Sequence, residues 1–230
     1  MALVALAAVA LTLIPSAAWA VDVSPANPAG PNARRILELY TIVFWIAMFV
    51  LVVVGGLIIY AALRFRRRSD ADEPEQIHGN TRLEIAWTVF PLVTLLVLFS
   101  LTFSNMDYIR NGPPPQLTVK VIGSQFAWVY EYSGGVRSGD LKIPVGRVVR
   151  LEVTSTDVLH SFWAPRLGGQ IYANPAYPNH GWLQADRRGT YYGQCNELCG
   201  IGHSNMLVTV TALSQSEFDT WYNTALKSVK

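Results

Sequence analysis

The chain has 230 residues, 51% of them apolar and only 15% charged, and its formal net charge is +2. So apolar a composition excludes an ordinary soluble domain and indicates membrane segments. A net charge this small gives no reason to expect a nucleic-acid partner, because nucleic-acid binding depends on a strongly basic surface.

Residues 1–20 have the pattern of a secretory signal peptide. They are apolar, are interrupted by Pro15 and end in Ala18-Trp19-Ala20, a small-x-small sequence that predicts cleavage before Val21. No Lys or Arg precedes the apolar run, so an uncleaved anchor is the alternative. Residues 21–32 are rich in Pro, Ala and Asn and predict a flexible lead-in.

Two long uncharged stretches predict a transmembrane helical hairpin over residues 33–106. Residues 39–63 and 85–106 contain no charged side chain, and about 20 apolar residues suffice to cross a bilayer as a helix. We place the helices at about residues 36–63 and 83–104. The loop 64–82 between them carries five arginines, which marks it as cytoplasmic and places the chain from residue 107 onward on the extracytoplasmic side.

Residues 107–213 predict an all-β domain. Apolar and polar residues alternate in four short runs, which are Leu117–Val121, Phe126–Tyr132, Val148–Thr154 and Met206–Thr211. Glycine and proline separate these runs, and short strands with such turns are typical of a sandwich. In the last segment, 214–230, Ser214 and Glu217 form the pattern of a capping box, which predicts a short C-terminal helix.

The strongest chemical signal is a set of soft metal ligands. The set consists of His160, Cys195, Cys199, His203 and Met206. Thiolate, thioether and imidazole groups suit copper or zinc. Two thiolates can each bridge two metal ions, so the set could hold a pair of coppers, with Met206 and the backbone carbonyl of Glu197 as weak ligands. The alternatives are a disulfide between the only two cysteines and a closed zinc site, which would not need Met206.

The loop resembles subunit II of the haem-copper cytochrome c oxidases. Residues 193–206 contain the family motif G-Q-C-x-E-L-C-G-x-x-H-x-x-M in full, and V-L-H-S-F surrounds His160 at the family's spacing. The resemblance runs from about Ala33 to Thr211. It implies a cupredoxin-like Greek-key sandwich behind the helical hairpin. It also implies a dinuclear, mixed-valence Cu(A) centre whose ligands are His160, Cys195, Glu197 through its carbonyl, Cys199, His203 and Met206.

The same resemblance implies a function. Subunit II of a terminal respiratory oxidase accepts electrons at Cu(A) from cytochrome c or a similar periplasmic donor. It passes them to haem in subunit I, where oxygen is reduced to water. The implied location is the bacterial plasma membrane, with the copper domain outside the cytoplasm, in contact with lipid, subunit I and the other oxidase subunits.

Three further residues acquire roles from the resemblance. Glu84 lies in Leu-Glu-x-x-Trp-Thr-x-x-Pro and would stand at a proton uptake path into subunit I. Trp128 lies in the family's aromatic strand and would be part of the electron path, whereas Phe126 replaces a tryptophan that is common there. The Glu197 side chain would hold Mg or Mn at the subunit I boundary. The plainer interpretations are an interfacial acid, a core aromatic residue and a solvated acid, respectively.

Two other functions are consistent with the ligand set. One is the Cu(A) subunit of a haem-copper nitric oxide reductase, and the other is a membrane-tethered copper carrier. The helical hairpin and the motif around Glu84 favour the oxidase over the reductase. A carrier would bind a single exchangeable Cu(I), whereas this chain has ligands for two metal ions.

Overall fold

The computed structural model describes residues 22–66 and 79–229. The predicted signal peptide and most of the predicted cytoplasmic loop lie outside these residues. Two long helices come first, α1 (Pro31–Arg64) and α2 (Thr81–Asn111). A β-sandwich follows, and α3 (Gln215–Val229) ends the described chain.

Helices α1 and α2 are long and apolar enough to cross a membrane. Their middle residues present large apolar side chains outward, and Leu51 and Leu95 are 63% and 64% exposed. Such apolar surfaces are stable in lipid rather than in water. A helix can lie in lipid because it also satisfies its own backbone hydrogen bonds. The 34 residues of α1 span roughly 51 Å. Its ends therefore project beyond a hydrocarbon layer of about 30 Å.

Both helices extend past the bounds expected from the sequence. The added turns of α2 pack against the outer domain, where Trp182 Nε1 donates a hydrogen bond to the Tyr108 carbonyl at 2.8 Å. Gly112 then ends the helix with a positive φ of 63°. Its missing side chain makes room for the indole of Trp182, which would lie 2.4 Å from a Cβ at this position.

The described residues of the outer domain contain ten strands. They are β1 (Leu117–Ser124), β2 (Ala127–Glu131), β3 (Arg137–Ser138), β4 (Leu141–Pro144), β5 (Val149–Ser155), β6 (His160–Trp163), β7 (Ile171–Ala173), β8 (Asn179–Leu183), β9 (Gly189–Cys195) and β10 (Leu207–Leu213). Alternate residues of each strand point inward. In β5, for example, Val149, Leu151 and Val153 are fully buried, as the period-two pattern predicts.

The strands form two sheets that enclose the core. One sheet has the order β3-β2-β1-β5-β8, and the other has the order β4-β10-β9-β6-β7. Strands β1 and β5 are parallel, as are β4 and β10, and the other pairs are antiparallel. The domain is a cupredoxin-like sandwich behind a helical hairpin, which confirms the predicted fold class. Helix α3 covers one end of the core, with Phe218 and Trp221 packed against Tyr132.

The described part of the predicted lead-in, residues 22–32, contacts the outer domain. Ala29 N donates to the Arg166 carbonyl at 2.7 Å, and Asp186 N donates to the Ala29 carbonyl at 2.8 Å. Asn32 already belongs to α1 and is buried, and its side-chain amide donates to the Trp182 carbonyl at 2.9 Å. Composition predicts a loop here, but only the folded domain supplies these backbone partners.

Candidate metal centre

The predicted ligand loop connects β9 to β10 at one end of the sandwich. Cys195 is the last residue of β9, and its backbone N–H donates to the Met206 carbonyl at 2.8 Å, which closes the base of the loop. A turn of 3₁₀ helix begins at His203, whose N–H donates to the Gly200 carbonyl at 3.1 Å. His160 begins β6, which pairs with β9 in the same sheet.

This arrangement brings the five predicted side-chain ligands together. Cys195 Sγ lies 4.0 Å from Cys199 Sγ and 4.0 Å from His160 Nδ1. Cys199 Sγ lies 3.5 Å from His203 Nδ1 and 3.9 Å from Met206 Sδ. Each sulfur of the cysteine pair thus has its own imidazole neighbour.

Four of the five side chains are buried and His203 is half-buried, and the two cysteines are free thiols rather than a disulfide. His160 and Met206 are fully buried, and Cys195 and Cys199 are 2% and 5% exposed. Burial, together with the neighbouring Cys195, raises the pKa of the Cys199 thiol to about 11. Without a metal this thiol therefore keeps its proton at neutral pH. Metal binding would have to release that proton, as thiolate ligation requires.

Asp157 supports His160 from the side away from the sulfur atoms. Its Oδ1 lies 2.7 Å from His160 Nε2, and its Oδ2 accepts a hydrogen bond from Gln125 N at 2.7 Å. Desolvation raises the pKa of Asp157, but the hydrogen bonds from Gln125, His160 and Val158 outweigh it and lower the pKa to about 2. The carboxylate therefore stays charged and directs His160 Nδ1 toward the cysteines. The sequence pattern did not reveal this role, because it depends on how the loop before β6 is folded.

Trp128 and Glu197 lie at the cluster. Trp128 is 4% exposed, and its ring centre lies 6.0 Å from that of His160 in an edge-to-face contact. The backbone carbonyl of Glu197 lies 3.3 Å from Cys195 Sγ. The Glu197 side chain is half-buried.

Glu84 lies far from the cluster. It stands in the first turn of α2, which is capped by Asn80 through hydrogen bonds to Oδ1 from Arg82 N at 3.1 Å and Leu83 N at 3.2 Å. From Glu84 to Asn111 the helix rises roughly 40 Å at 1.5 Å per residue. The structure therefore places Glu84 at the opposite end of the hairpin from the metal centre.

The donor chemistry of the cluster fits copper. The ligand atoms of His160, Cys195 and Cys199 lie within 4.8 Å of one another. Two thiols, two imidazoles and a thioether form a soft set that suits copper and not hard cations. The burial of His160, Cys195, Cys199 and Met206 would also limit the access of water to a bound metal.

The sequence resembles one family over most of its length. Residues 17–104 match the family model described as cytochrome C oxidase subunit II, transmembrane domain, and residues 136–213 match the one described as its periplasmic domain. Cytochrome c oxidase subunit 2 of Alkalihalophilus pseudofirmus is 39% identical over 204 residues, which cover 85% of this chain and 60% of that relative. The chain thus spans 60% of the length of this relative.

Other relatives are matched along more of their own length. The probable cytochrome c oxidase subunit 2 of Rickettsia bellii is 30% identical over 226 residues, which cover 88% of this chain and 83% of the relative. Among solved structures, the periplasmic domain of subunit II of cytochrome oxidase from Bradyrhizobium japonicum is 34% identical with a TM-score of 0.49. It covers 50% of this chain and 97% of that chain.

Proposed function

The chain belongs to the cytochrome c oxidase subunit II family, and on that premise we propose that it is the electron-accepting subunit of a terminal respiratory oxidase. Its dinuclear Cu(A) centre accepts electrons from cytochrome c or a similar donor. The electrons pass to haem in subunit I, where oxygen is reduced to water. The proposed ligands are His160, Cys195, Glu197 through its carbonyl, Cys199, His203 and Met206.

The spacing of the two sulfur atoms is the observation that carries this proposal. Cys195 Sγ and Cys199 Sγ are 4.0 Å apart, and a thiolate–metal bond of the zinc type is about 2.3 Å long. Because half the sulfur separation is shorter than one such bond, a metal ion can contact both sulfur atoms. One such position exists on each side of the line between them. His160 Nδ1 and His203 Nδ1 contact different sulfur atoms, which supports one imidazole for each metal ion.

Met206 favours copper over zinc. A structural zinc site is complete with four ligands, which the two cysteines and two histidines would already supply. Met206 Sδ nevertheless lies 3.9 Å from Cys199 Sγ and is fully buried. Soft copper uses such a weak thioether ligand, whereas zinc does not need one.

The protein residues hold the site in one arrangement. When bound, the copper pair supplies a one-electron acceptor whose charge is shared over two metal ions. Asp157 fixes the ring of His160, and the closed base of the loop fixes Cys195 against Met206. Burial of His160, Cys195, Cys199 and Met206 limits the access of water. Each of these restraints reduces the rearrangement that would accompany a change of charge.

An exposed apolar surface on the ligand loop supports a docking position for the electron donor. Leu198 is 80% exposed and Ile201 is 103% exposed, and both flank Cys199 and Gly200. Residues 107–230 carry eleven Lys and Arg against nine Asp and Glu, a net charge of +2. Long-range attraction of a basic donor would need an acidic surface. We therefore expect donor binding that depends on apolar contact and changes little with salt.

The remaining proposed roles concern the electron path, proton uptake into subunit I and a second metal ion at the subunit I boundary. Trp128 touches the ring of His160 and is proposed as part of the electron path. Glu84, at the opposite end of α2, is proposed as the proton uptake residue for subunit I. The half-buried Glu197 carboxylate is proposed to bind Mg or Mn at the subunit I boundary. Among the described residues of this chain, Glu197 belongs to no group of three or more His, Cys, Asp or Glu side chains that could hold a metal ion, so subunit I would supply other ligands.

The family and the helical hairpin identify a membrane protein with an extracytoplasmic domain. We place it in the bacterial plasma membrane beside subunit I, the other oxidase subunits and lipid. The match to cytochrome c oxidase subunit II supports the oxidase over a nitric oxide reductase or a copper carrier.

Copper loading of the full chain in detergent tests the proposal. We expect two coppers per chain and a purple colour. Electron paramagnetic resonance should show the hyperfine pattern of one unpaired electron shared by two copper nuclei. A colourless product with a single copper would refute the dinuclear centre. Cys199→Ser should remove this signal, whereas the control Ser204→Ala, an exposed residue of the same loop, should retain it.

A further inference from the structure

We propose that the turn Gln125–Phe126 is a positioning element of the metal centre. It connects β1 to β2 in one sheet, whereas the cysteine and histidine ligands come from the other sheet and its loop. The inference deepens the proposed copper function and rests on it. The turn would keep the two halves of the ligand set in a single relative position.

Gln125 forms hydrogen bonds with both halves. Its backbone N–H donates to Asp157 Oδ2 at 2.7 Å, and the same carboxylate holds His160 Nε2 through Oδ1 at 2.7 Å. Its side-chain Nε2 donates to the Cys199 carbonyl at 2.5 Å. One residue thus contacts the support of the first histidine and the backbone of the second cysteine.

The Phe126 ring fills the space next to the ligand loop. A Cβ added to Gly202 would lie 2.4 Å from Phe126 Cδ2, and a Cβ added to Gly200 would lie 3.2 Å from Phe126 Cε1. Gly202 has φ −89° and ψ 9°, a conformation open to any residue. The ring contact therefore explains the glycine at 202. At position 200 the backbone conformation alone explains the glycine, because its φ is +133°.

The Phe126 ring contacts the ligand loop where the loop is otherwise mostly exposed. Gly200 and Gly202 separate Cys199 from His203, and Ile201 between them is fully exposed. Phe126 itself is 37% exposed, so its ring packs against Gly202 while remaining partly exposed to solvent. Without the ring, the segment between two proposed ligands would lose its packing and could adopt several conformations.

Phe126→Ala tests the positioning role in the full chain in detergent. Changes behind metal ligands typically weaken metal binding about 10- to 100-fold, and we expect a loss in that range from copper competition titrations. We also expect broadened copper hyperfine lines and a shifted reduction potential. In the metal-free chain, amide hydrogen exchange over residues 200–206 should accelerate. Copper affinity, hyperfine pattern and exchange rates equal to wild type would overturn the inference.

A second test is steric and does not depend on Phe126→Ala alone. Gly202→Ala should weaken copper binding because its methyl group meets the ring, and the double variant Phe126→Ala/Gly202→Ala should bind copper better than Gly202→Ala. The control Gly139→Ala has no atom within 4 Å of the new Cβ and should match wild type. A double variant no better than Gly202→Ala would also overturn the inference. Failure of the wild-type chain to take up two coppers would refute the proposed function instead, and the exchange measurement on metal-free chains would still decide the positioning role.

Discussion

Asp157→Asn should weaken copper binding although it removes no ligand. The carboxylate uses Oδ1 for His160 Nε2 and Val158 N, and Oδ2 for Gln125 N. The asparagine side chain has only one oxygen, and its NH₂ group takes the place of the other. That NH₂ group cannot accept from the donors it faces. At least one hydrogen bond to a charged group is therefore lost. Outer-shell partners of a metal-binding histidine typically contribute about 10- to 100-fold to metal affinity. Because the side chain is 31% exposed, we expect the low end of that range, roughly tenfold weaker copper binding.

Competition titration at pH 7 with a copper chelator measures this loss in the full chain. The matched control is Glu131→Gln, which also removes one acid but lies in an ion pair with Arg137, 2.8 Å away. Equal copper affinity for Asp157→Asn and wild type would refute the positioning of His160 by Asp157. An equal loss in Glu131→Gln would assign the effect to net charge instead.

The same variant has a defined pH dependence. The pKa of Asp157 is lowered from 3.8 to about 2 in the folded chain. Desolvation raises this pKa, but the hydrogen bonds to the carboxylate lower it by more. A lowered pKa stabilises the fold above the unfolded value, and that contribution disappears as the pH falls through the folded value. The melting-temperature difference between metal-free wild type and Asp157→Asn should therefore be constant above about pH 5 and shrink toward pH 2. A difference unchanged down to pH 2 would contradict the assignment.

Three further predictions concern packing, capping and proton uptake. Gly193→Ala places a Cβ 1.9 Å from the Trp163 carbonyl oxygen, and we expect a loss of about 3 kcal/mol or more in thermal melts; a wild-type melting temperature would contradict it. Ser214→Ala removes the hydroxyl that accepts from Glu217 N at 3.3 Å, which should cost about 1 kcal/mol in the same assay, and no loss would exclude a capping role. Glu84→Gln should slow proton uptake by the assembled oxidase with an intact copper spectrum; unchanged turnover would remove Glu84 from the mechanism.

Local patterns account for much of the fold. The alternation in Val148–Thr154 predicts β5, because a strand buried on one face needs apolar residues at every second position. The capping box also forms as expected, since Ser214 N donates to Glu217 Oε2 at 2.8 Å. By contrast, the run Phe126–Tyr132 predicts a strand from its first residue, whereas β2 begins at Ala127. Phe126 precedes the strand and packs against Gly200 and Gly202 of the ligand loop.

Long-range contacts explain what the sequence did not predict. The sequence predicts that the second helix ends at about residue 104, but α2 continues to Asn111, and its last turns contact the outer domain through the hydrogen bond from Trp182 to Tyr108. Residues 125 and 199 are joined by a hydrogen bond across 74 positions of the chain. No short motif encodes such a pairing. The residue types of the proposed ligands, however, are visible in the motif alone, because metal chemistry constrains residue identity more tightly than packing does.

The outer domain is attached to both helices by polar contacts. Arg34 of α1 forms an ion pair with Asp186, and Asn32 and Tyr108 hydrogen-bond to Trp182 from the two helices. In the proposed oxidase, a domain on a loose tether would have to return to its acceptor for each electron. These contacts instead hold the outer domain in one position relative to the two helices, so we expect a constant distance from the proposed metal centre to the haem of subunit I. Only the incoming donor would then have to search.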